Sequence, residues 1–281
     1  MLVSSTRLAL RLTRLDRAMS RCSGHPSIVI GLLDGPVAAH PDLRELGSDG
    51  ESASKAGRHG TLVAGILAAQ RGSEAPGICP SCRLIVRPIF EGDGLSDTDP
   101  AIVADQIVDS VDAGARLLNI SAAYASSSGV GNSRLRLALD YTNSRGAIVV
   151  VAAGNSGRIA GSPLISHQSV IPVASCDESG RPMPSSNLGA SIGRRGVLAP
   201  GFGITSLAPG GGLDLLNGTS AATALVTGAI ALAWSAVPSA PPAVVRRAVL
   251  GGHARRGIVP PLLDAWTLYA TVARLHQEMP A

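Results

Sequence analysis

The sequence is poor in aromatic residues, with two Trp, three Tyr and two Phe among 281 residues. Proteins that bind single-stranded nucleic acid stack bases on aromatic side chains, and no dense basic run interleaved with aromatics occurs here. The net charge of +4 rests on 23 Arg and the single Lys55, a ratio typical of compositional bias. We therefore expect no nucleic-acid partner.

Long apolar runs are also missing at the N-terminus. Arginine recurs at positions 7, 11, 14 and 17, so no uninterrupted stretch has the length of a secretory signal, and no other stretch approaches a transmembrane span. The leucines between the arginines predict a short amphipathic helix that docks on the protein. We expect a cytoplasmic protein without stable membrane insertion.

Cysteine is scarce, with one residue each at 22, 79, 82 and 176. The pair in "CPSC" has redox or metal spacing, but no second pair of matching spacing exists to close a zinc site. The pair precedes an apolar strand rather than opening a helix. A local disulfide or two free thiols is favoured over redox chemistry, and no function is assigned to the cysteines.

Continuous apolar runs alternate with helical patterns along the chain. Strands are predicted at 27–34, 83–89, 116–120, 147–155, 169–175 and 196–201, and helices at 58–69, 99–114, 133–146, 219–237, 241–252 and 261–277. This order predicts an α/β fold in which a doubly wound, mostly parallel sheet carries helices on both faces of a single domain. We assign 1–24 to an amphipathic extension, 25–252 to the domain and 253–281 to a helical extension packed on it.

Four polar residues stand at the ends of these elements. Asp34 and Asn155 end predicted strands, and His59 and Ser220 open predicted helices. Singly, each is an ordinary turn or capping residue. Parallel sheets bind ligands at the carboxyl ends of their strands, so together they indicate a site at that edge.

The segments around these residues are "DGPVAAHPDL", "HGTLVAGI", "VVAAGNSG" and "NGTSAATALVTG". From Ser27 to Trp234 the chain resembles the subtilisin-like serine proteases in the order and spacing of these motifs. The resemblance implies that Ser220 is the nucleophile, His59 the general base and Asp34 the residue that orients it. Asn155 would donate to the oxyanion together with the backbone N–H of Ser220.

The same resemblance implies a peptide substrate lying extended in a groove, paired like an added strand. One edge of the groove would be Ser121, Ala122 and Ala123, and the other side of the primary pocket would be Ala152, Ala153 and Gly154. Small residues on both sides favour a roomy pocket.

The chain departs from the family pattern at several points. The usual calcium-binding insertion is missing after the histidine helix, so no cofactor is expected and calcium is not supported. Tyr124 adds bulk beside Ala123, which would narrow the outer subsites.

The "DGPV" motif, the compact size and the lack of an export signal or propeptide resemble the proteases that mature cyanobactin-type, ribosomally made peptides. Macrocyclising relatives carry a helical insertion near the histidine, and the 24 residues between Asp34 and His59 leave little room for one. Hydrolysis of a precursor peptide is therefore favoured over transamidation. The alternatives are a broad-specificity intracellular subtilase and a peptide-binding pseudo-protease.

Overall fold

Strands and helices alternate along the residues that the computed structural model describes, which are 2–43, 54–90, 98–122, 129–159, 161–251 and 257–277. The helices are α1 (Leu2–Leu12), α2 (Leu15–Met19), α3 (Lys55–Ala68), α4 (Pro100–Asp112), α5 (Gly129–Ser144), α6 (Pro163–Ser166), α7 (Ala190–Arg195), α8 (Thr219–Ala236), α9 (Pro242–Leu250) and α10 (Ala265–Gln277). The strands are β1 (Val29–Asp34), β2 (Arg83–Pro88), β3 (Leu117–Ile120), β4 (Ile148–Ala152), β5 (Val170–Cys176), β6 (Val197–Pro200), β7 (Ile204–Leu207) and β8 (Leu213–Leu216).

Six of the strands form one parallel sheet in the order β2-β1-β3-β4-β5-β6. The chain runs outward from β1 to β2 and then returns to the other side of β1 to place β3. That reversal makes a crevice at the carboxyl ends of β1 and β3, where open α/β sheets bind their ligands. The predicted α/β class with a doubly wound parallel sheet is confirmed.

The continuous apolar strands arise because both faces of the sheet are covered. Along β4, Ile148 and Val150 belong to the core beneath α3 and α8, whereas Val149 and Val151 belong to the core beneath α4 and α5. Successive side chains of a strand point to opposite faces, so both sets must be apolar. All five residues of β4 are buried.

Helix α8 is the central helix of one face and is built mainly from small residues. Its 18 residues have a mean hydropathy of 1.3, and 94% of them are buried within the protein. A helix of this length and composition could cross a membrane, so the expectation that no stretch approaches a transmembrane span is wrong as a statement about length and composition. Its burial against the sheet accounts for the apolar sequence.

The structure differs from the predicted elements in several places. The short helices α6 and α7 were not predicted, and the strand predicted at 147–155 ends at Ala152. An antiparallel hairpin of β7 and β8 was not foreseen, because each strand has only four residues. The predicted helix at 261–277 begins only at Ala265, since the preceding residues extend the sheet edge instead. Leu198 N–H donates to Pro261 O at 2.8 Å, and Leu263 N–H donates to Leu198 O at 2.8 Å.

The two ends of the described chain meet on the domain. Thr205 N–H donates to Thr6 Oγ1 at 2.8 Å, which ties α1 to the hairpin. Arg14 pairs with Asp264 at 2.7 Å, and Ala265 N–H donates to Thr13 O at 2.8 Å. The boundaries assigned at 24 and 252 stay predictions.

Candidate active site

The end of β1 and the start of α3 touch through two glycines. A Cβ on Gly35 would lie 1.9 Å from Ala56 O, and one on Gly60 would lie 2.3 Å from Gly35 O. Only hydrogen fits at either position, so the backbones approach more closely than side chains would allow. Ser54 caps α3 by accepting from Gly57 N–H at 3.0 Å, which fixes where the helix begins.

This close approach brings Asp34 and His59 together. Asp34 Oδ1 lies 2.6 Å from His59 Nδ1 and also accepts the Gly35 N–H at 2.7 Å. The Asp34 side chain is fully buried and that of His59 is 15% exposed. Asp34 Oδ2 has no hydrogen-bond partner within the described residues. The carboxylate thus directs its charge at the imidazole and at one backbone amide.

The environment raises the pKa of His59 above its ordinary value of 6.5. Burial acts in the opposite direction and is the largest single influence, but the charge of Asp34 and its hydrogen bond together outweigh it. Arg58 lowers the pKa slightly by charge repulsion. A nearby carboxylate that favours imidazolium is what a general base needs when it accepts a proton.

The unforeseen hairpin supports the helix that carries His59. Ser206 Oγ on β7 donates to Leu62 O at 2.6 Å, and Arg58 Nε donates to Asp214 Oδ2 on β8 at 2.7 Å. These contacts hold the first turns of α3 against the rest of the domain. No periodicity in the short strands signalled this role.

Ser220 lies in the first turn of α8 and is 5% exposed. Helix α8 packs against α3, but the described residues show no hydrogen bond between Ser220 Oγ and His59. Gly218 precedes the helix with a φ of 94°, a conformation that favours glycine. The first N–H groups of a helix have no intrahelical partner and attract negative charge, so Ser220 N–H is placed to donate.

Asn155 lies in the exposed loop after β4, against the start of α8. Its Oδ1 accepts Thr219 N–H at 2.9 Å, which fixes the orientation of the amide and leaves Nδ2 as its donor. Gly154 N–H donates to Thr219 Oγ1 at 3.2 Å. These two contacts connect the loop to the residue just before Ser220.

Asn187 is a residue of this site that sequence reasoning missed. Its Oδ1 accepts Ser156 N–H at 3.2 Å and Arg158 N–H at 3.0 Å, and its Nδ2 donates to Ala153 O at 3.0 Å. It therefore braces both ends of the loop that carries Asn155. It stands in an irregular segment, and no local pattern in "SSNLG" signalled the role.

The two predicted walls of the peptide groove follow neighbouring strands. Ser121 and Ala122 come directly after β3 and are 8% and 2% exposed. Ala152 ends β4, while Ala153 and Gly154 follow it and are buried. Ala153 N–H donates to Val173 O at 2.9 Å, so this wall is already paired within the sheet.

Two further residues of the predicted groove, Ala123 and Tyr124, lie outside the described residues. No group of three or more His, Cys, Asp or Glu side chains is arranged to hold a metal ion in the described ranges.

These groups define the chemistry that the site can perform. A buried carboxylate oriented on a histidine, a serine at a helix N-terminus and a fixed amide donor beside it are the parts of a serine hydrolase. Asp34 ends β1 and Asn155 follows β4 at the carboxyl edge of the parallel sheet, and His59 and Ser220 lie in the first turns of α3 and α8.

The comparison with known families agrees with that class. The subtilase family matches residues 26–256, so the chain belongs to the subtilases, which are serine endopeptidases. A thermostable alkaline protease of Halalkalibacterium halodurans is 33% identical over 75% of this chain. The chain spans 57% of the length of that relative.

Two solved structures resemble the chain over almost their full length. Prenylagaramide maturation protease PagA is 28% identical, with a TM-score of 0.81 over 92% of this chain and 98% of its own. Patellamide maturation protease PatA is 31% identical, with a TM-score of 0.77 over 89% of this chain and 98% of its own. The expected resemblance to proteases of peptide maturation is confirmed.

Proposed function

We propose that the chain is a serine endopeptidase that hydrolyses a ribosomally made precursor peptide. The observation that carries the proposal is the match to two maturation proteases along 98% of each of their chains. The Asp34–His59 contact of 2.6 Å supports the catalytic half of the proposal.

In the proposed mechanism, Ser220 Oγ attacks the scissile carbonyl carbon while His59 Nε2 takes the hydroxyl proton. Asp34 accepts from His59 Nδ1 and stabilises the imidazolium that forms. The carbonyl oxygen gains negative charge, which Asn155 Nδ2 and Ser220 N–H stabilise by donating to it.

The tetrahedral intermediate then collapses, and His59 returns the proton to the leaving amine. An acyl ester on Ser220 remains. Water attacks it with His59 again as the base, which releases the new carboxyl terminus and restores the serine. Both half-reactions use the same oxyanion donors.

The substrate backbone is proposed to lie between the segment after β3 and the end of β4. Ala153 N–H and Gly154 O already bond to Val173 O and Asn187 N–H within the chain. Strand-like pairing with the peptide is therefore proposed for the opposite edge, which begins at Ser121 and Ala122, and the Ala152 side supplies the pocket wall. Small side chains there favour an apolar substrate residue of medium or large size.

The test incubates the protein with leader-bearing precursor peptides and, separately, with casein, and identifies products by mass spectrometry. Cleavage of the precursor at one bond, with casein intact, supports the proposal, and general casein degradation supports a broad-specificity protease. Linear products gain one water across the cut, whereas a transamidated ring does not. Ser220→Ala is the control.

The pseudo-protease alternative is tested with a fluorophosphonate probe of serine nucleophiles. Labelling that disappears in Ser220→Ala and slows in Asn155→Ala supports an assembled site. A folded protein that binds precursor but takes no label supports the pseudo-protease. The cytoplasmic location stays a prediction, which fractionation of the native host would test.

A further inference from the structure

Three cysteines of the described chain gather at the end of α3 that is remote from His59. Cys79 is buried, and Cys22 and Cys82 are partly exposed. All three are free thiols, as is Cys176 elsewhere in the core. Cys79 N–H donates to Leu67 O at 2.8 Å, so the "CPSC" turn is fastened to the last turn of α3.

The "CPSC" turn holds the thiols of Cys79 and Cys82 side by side. Cys82 N–H donates to Cys79 O at 2.9 Å, which closes a four-residue turn with Pro80 at its second position. A turn of this kind keeps its end Cα atoms within about 7 Å, and disulfides span about 4.4–6.8 Å between Cα atoms. The backbone of this turn therefore places the two cysteines at a separation that a disulfide can span.

Cys82 receives further hydrogen bonds that stabilise a thiolate. Its Sγ lies 3.5 Å from Ser235 Oγ, near the end of α8, and His25 supplies a backbone contact. The hydrogen bond with Cys79 is the largest cause that lowers the pKa of Cys82, which falls to about 7. The same hydrogen bond raises the pKa of Cys79, and the nearby charged or titratable groups are Arg71 and Cys22.

A cavity of about 690 Å³ opens beside Cys82. Its polar lining is Ser23, Gln70, Arg71, Ser81, Cys82 and Arg83, and none of the described residues that line it is acidic. Arg71 is held in place by donating to Cys22 O at 2.9 Å and to Ile78 O at 2.7 Å. Two guanidinium groups without a carboxylate favour an anionic ligand.

We propose that Cys79 and Cys82 form a thiol–disulfide exchange site for small anionic disulfides that enter this cavity. The thiolate of Cys82 attacks one sulfur of the disulfide RS–SR, forms a mixed disulfide and expels RS⁻. Cys79 then loses its proton to solvent, attacks Cys82 Sγ and expels the second RS⁻. Two protein thiols are oxidised, and one small disulfide is reduced to two thiols.

The second step, in which Cys79 attacks Cys82, depends on the same interaction that raises the pKa of Cys79 and lowers the pKa of Cys82. While Cys82 is a thiolate, its hydrogen bond holds the proton on Cys79. Once Cys82 is in a mixed disulfide, that cause is removed and Cys79 ionises more easily at short range from its target. Cys22 is not required in either step.

The experiment treats the full chain with dithiobis(2-nitrobenzoate), a small anionic disulfide, and follows the absorbance of the released thiolate. The wild-type protein should release two equivalents in linked phases and end with a Cys79–Cys82 disulfide in its peptide map. The first phase should rise with pH around a midpoint of about 7. At neutral pH about half of Cys82 is ionised, but the weaker nucleophilicity of an acidic thiol limits its rate advantage to a few-fold.

Matched variants separate the roles of the thiols. Cys79→Ser should release one rapid equivalent and keep the adduct on Cys82, whereas Cys82→Ser should lose the rapid phase. Cys22→Ser should behave as the wild type, and a cationic disulfide such as cystamine should react more slowly.

Three results would overturn the proposal. They are a rapid phase that survives in Cys82→Ser, a first-phase midpoint at 8.5 or above as in a free thiol, and a wild-type disulfide to Cys22. The wild-type stoichiometry and peptide map decide the question even if a variant fails to fold. Cys176 is an internal reference, because burial raises the pKa of its thiol to about 12.

Discussion

Replacing Asp34 by Asn separates the two roles of this carboxylate, because the structure fixes which way the new amide would face. Asp34 Oδ1 accepts from both Gly35 N–H at 2.7 Å and His59 Nδ1 at 2.6 Å. An asparagine that turned its NH₂ to this position would oppose the Gly35 N–H. The carbonyl oxygen therefore stays there, and His59 keeps its proton on Nδ1.

The transition-state stabilisation that Asp34→Asn loses is then only the part that comes from the negative charge of the carboxylate. Two unit charges about 4 Å apart interact by about 4 kcal/mol at an effective dielectric constant near 20. A neutral amide that still accepts a hydrogen bond retains about 1 kcal/mol of this. The remaining loss of about 3 kcal/mol in transition-state stabilisation lowers kcat/KM by about 10².

The assay measures kcat/KM against pH on a cleavable peptide for the wild type, Asp34→Asn and Asp34→Ala. Asp105→Asn, which alters an exposed ion pair with Arg134, is the surface control. A loss near 10⁴, with activity rising in proportion to hydroxide, would mean that the histidine had changed tautomer. That result would refute the argument from the Gly35 amide.

Three further predictions test the surroundings of the site. Since the pKa of His59 is raised, activity should rise with pH through a midpoint above 6.5, and Arg58→Gln should move that midpoint higher, as seen in the acid limb of kcat/KM. Gly60→Ala should cost several degrees in thermal melting and most of the activity, because its Cβ would lie 2.3 Å from a carbonyl oxygen, whereas Gly72→Ala meets nothing within 4 Å and should change neither. Asn187→Ala should lower kcat about tenfold at nearly unchanged KM, since the substitution frees the loop that carries the oxyanion donor Asn155. A large drop in melting temperature together with the slower probe labelling would instead show that the protein as a whole is destabilised.

The sequence allowed the sheet to be predicted because its strands depend on local patterns. The run 148–152 is apolar throughout, as a strand buried on both faces requires, and the helices on either side follow their own periodicity. The four polar residues at element ends could be found for a similar reason, since Asp34 and His59 lie within recognisable short motifs.

Two features that the sequence did not predict, Asn187 and the β7–β8 hairpin, depend on contacts between residues far apart in the chain. Asn187 braces a loop about thirty residues away, and its own segment has no regular structure to give it a pattern. The hairpin of β7 and β8 exists because α3 packs on it, as the hydrogen bond from Ser206 to Leu62 shows. Neither a four-residue strand nor a lone asparagine carries a signal of its own.

The near absence of Phe, Tyr and Trp from α3 and α8 follows from the way these two helices are packed. Helix α8 is buried from Thr219 to Ser235, so it has no solvent side on which a large side chain could lie. A Cβ on Gly228 would lie 2.7 Å from Ile78, and one on Gly65 of α3 would lie 2.3 Å from Ser206 Oγ. Close packing of this kind leaves room for Ala, Thr and Gly but not for rings.

Trp234 is the exception, and its position fits the same reasoning. It lies near the C-terminal end of α8, where its Nε1–H donates to Ala240 O at 2.9 Å and Arg116 covers its ring at 4.2 Å. A large side chain is thus tolerated only at the end remote from Ser220. Helices α3 and α8 each begin at the candidate active site and end at the "CPSC" turn. Small residues along both helices let them pack closely, and this packing fixes the position of Ser220 relative to His59. A larger side chain at Gly228 would push α8 away from Ile78, and we expect Ser220 in the first turn of α8 to shift with the helix.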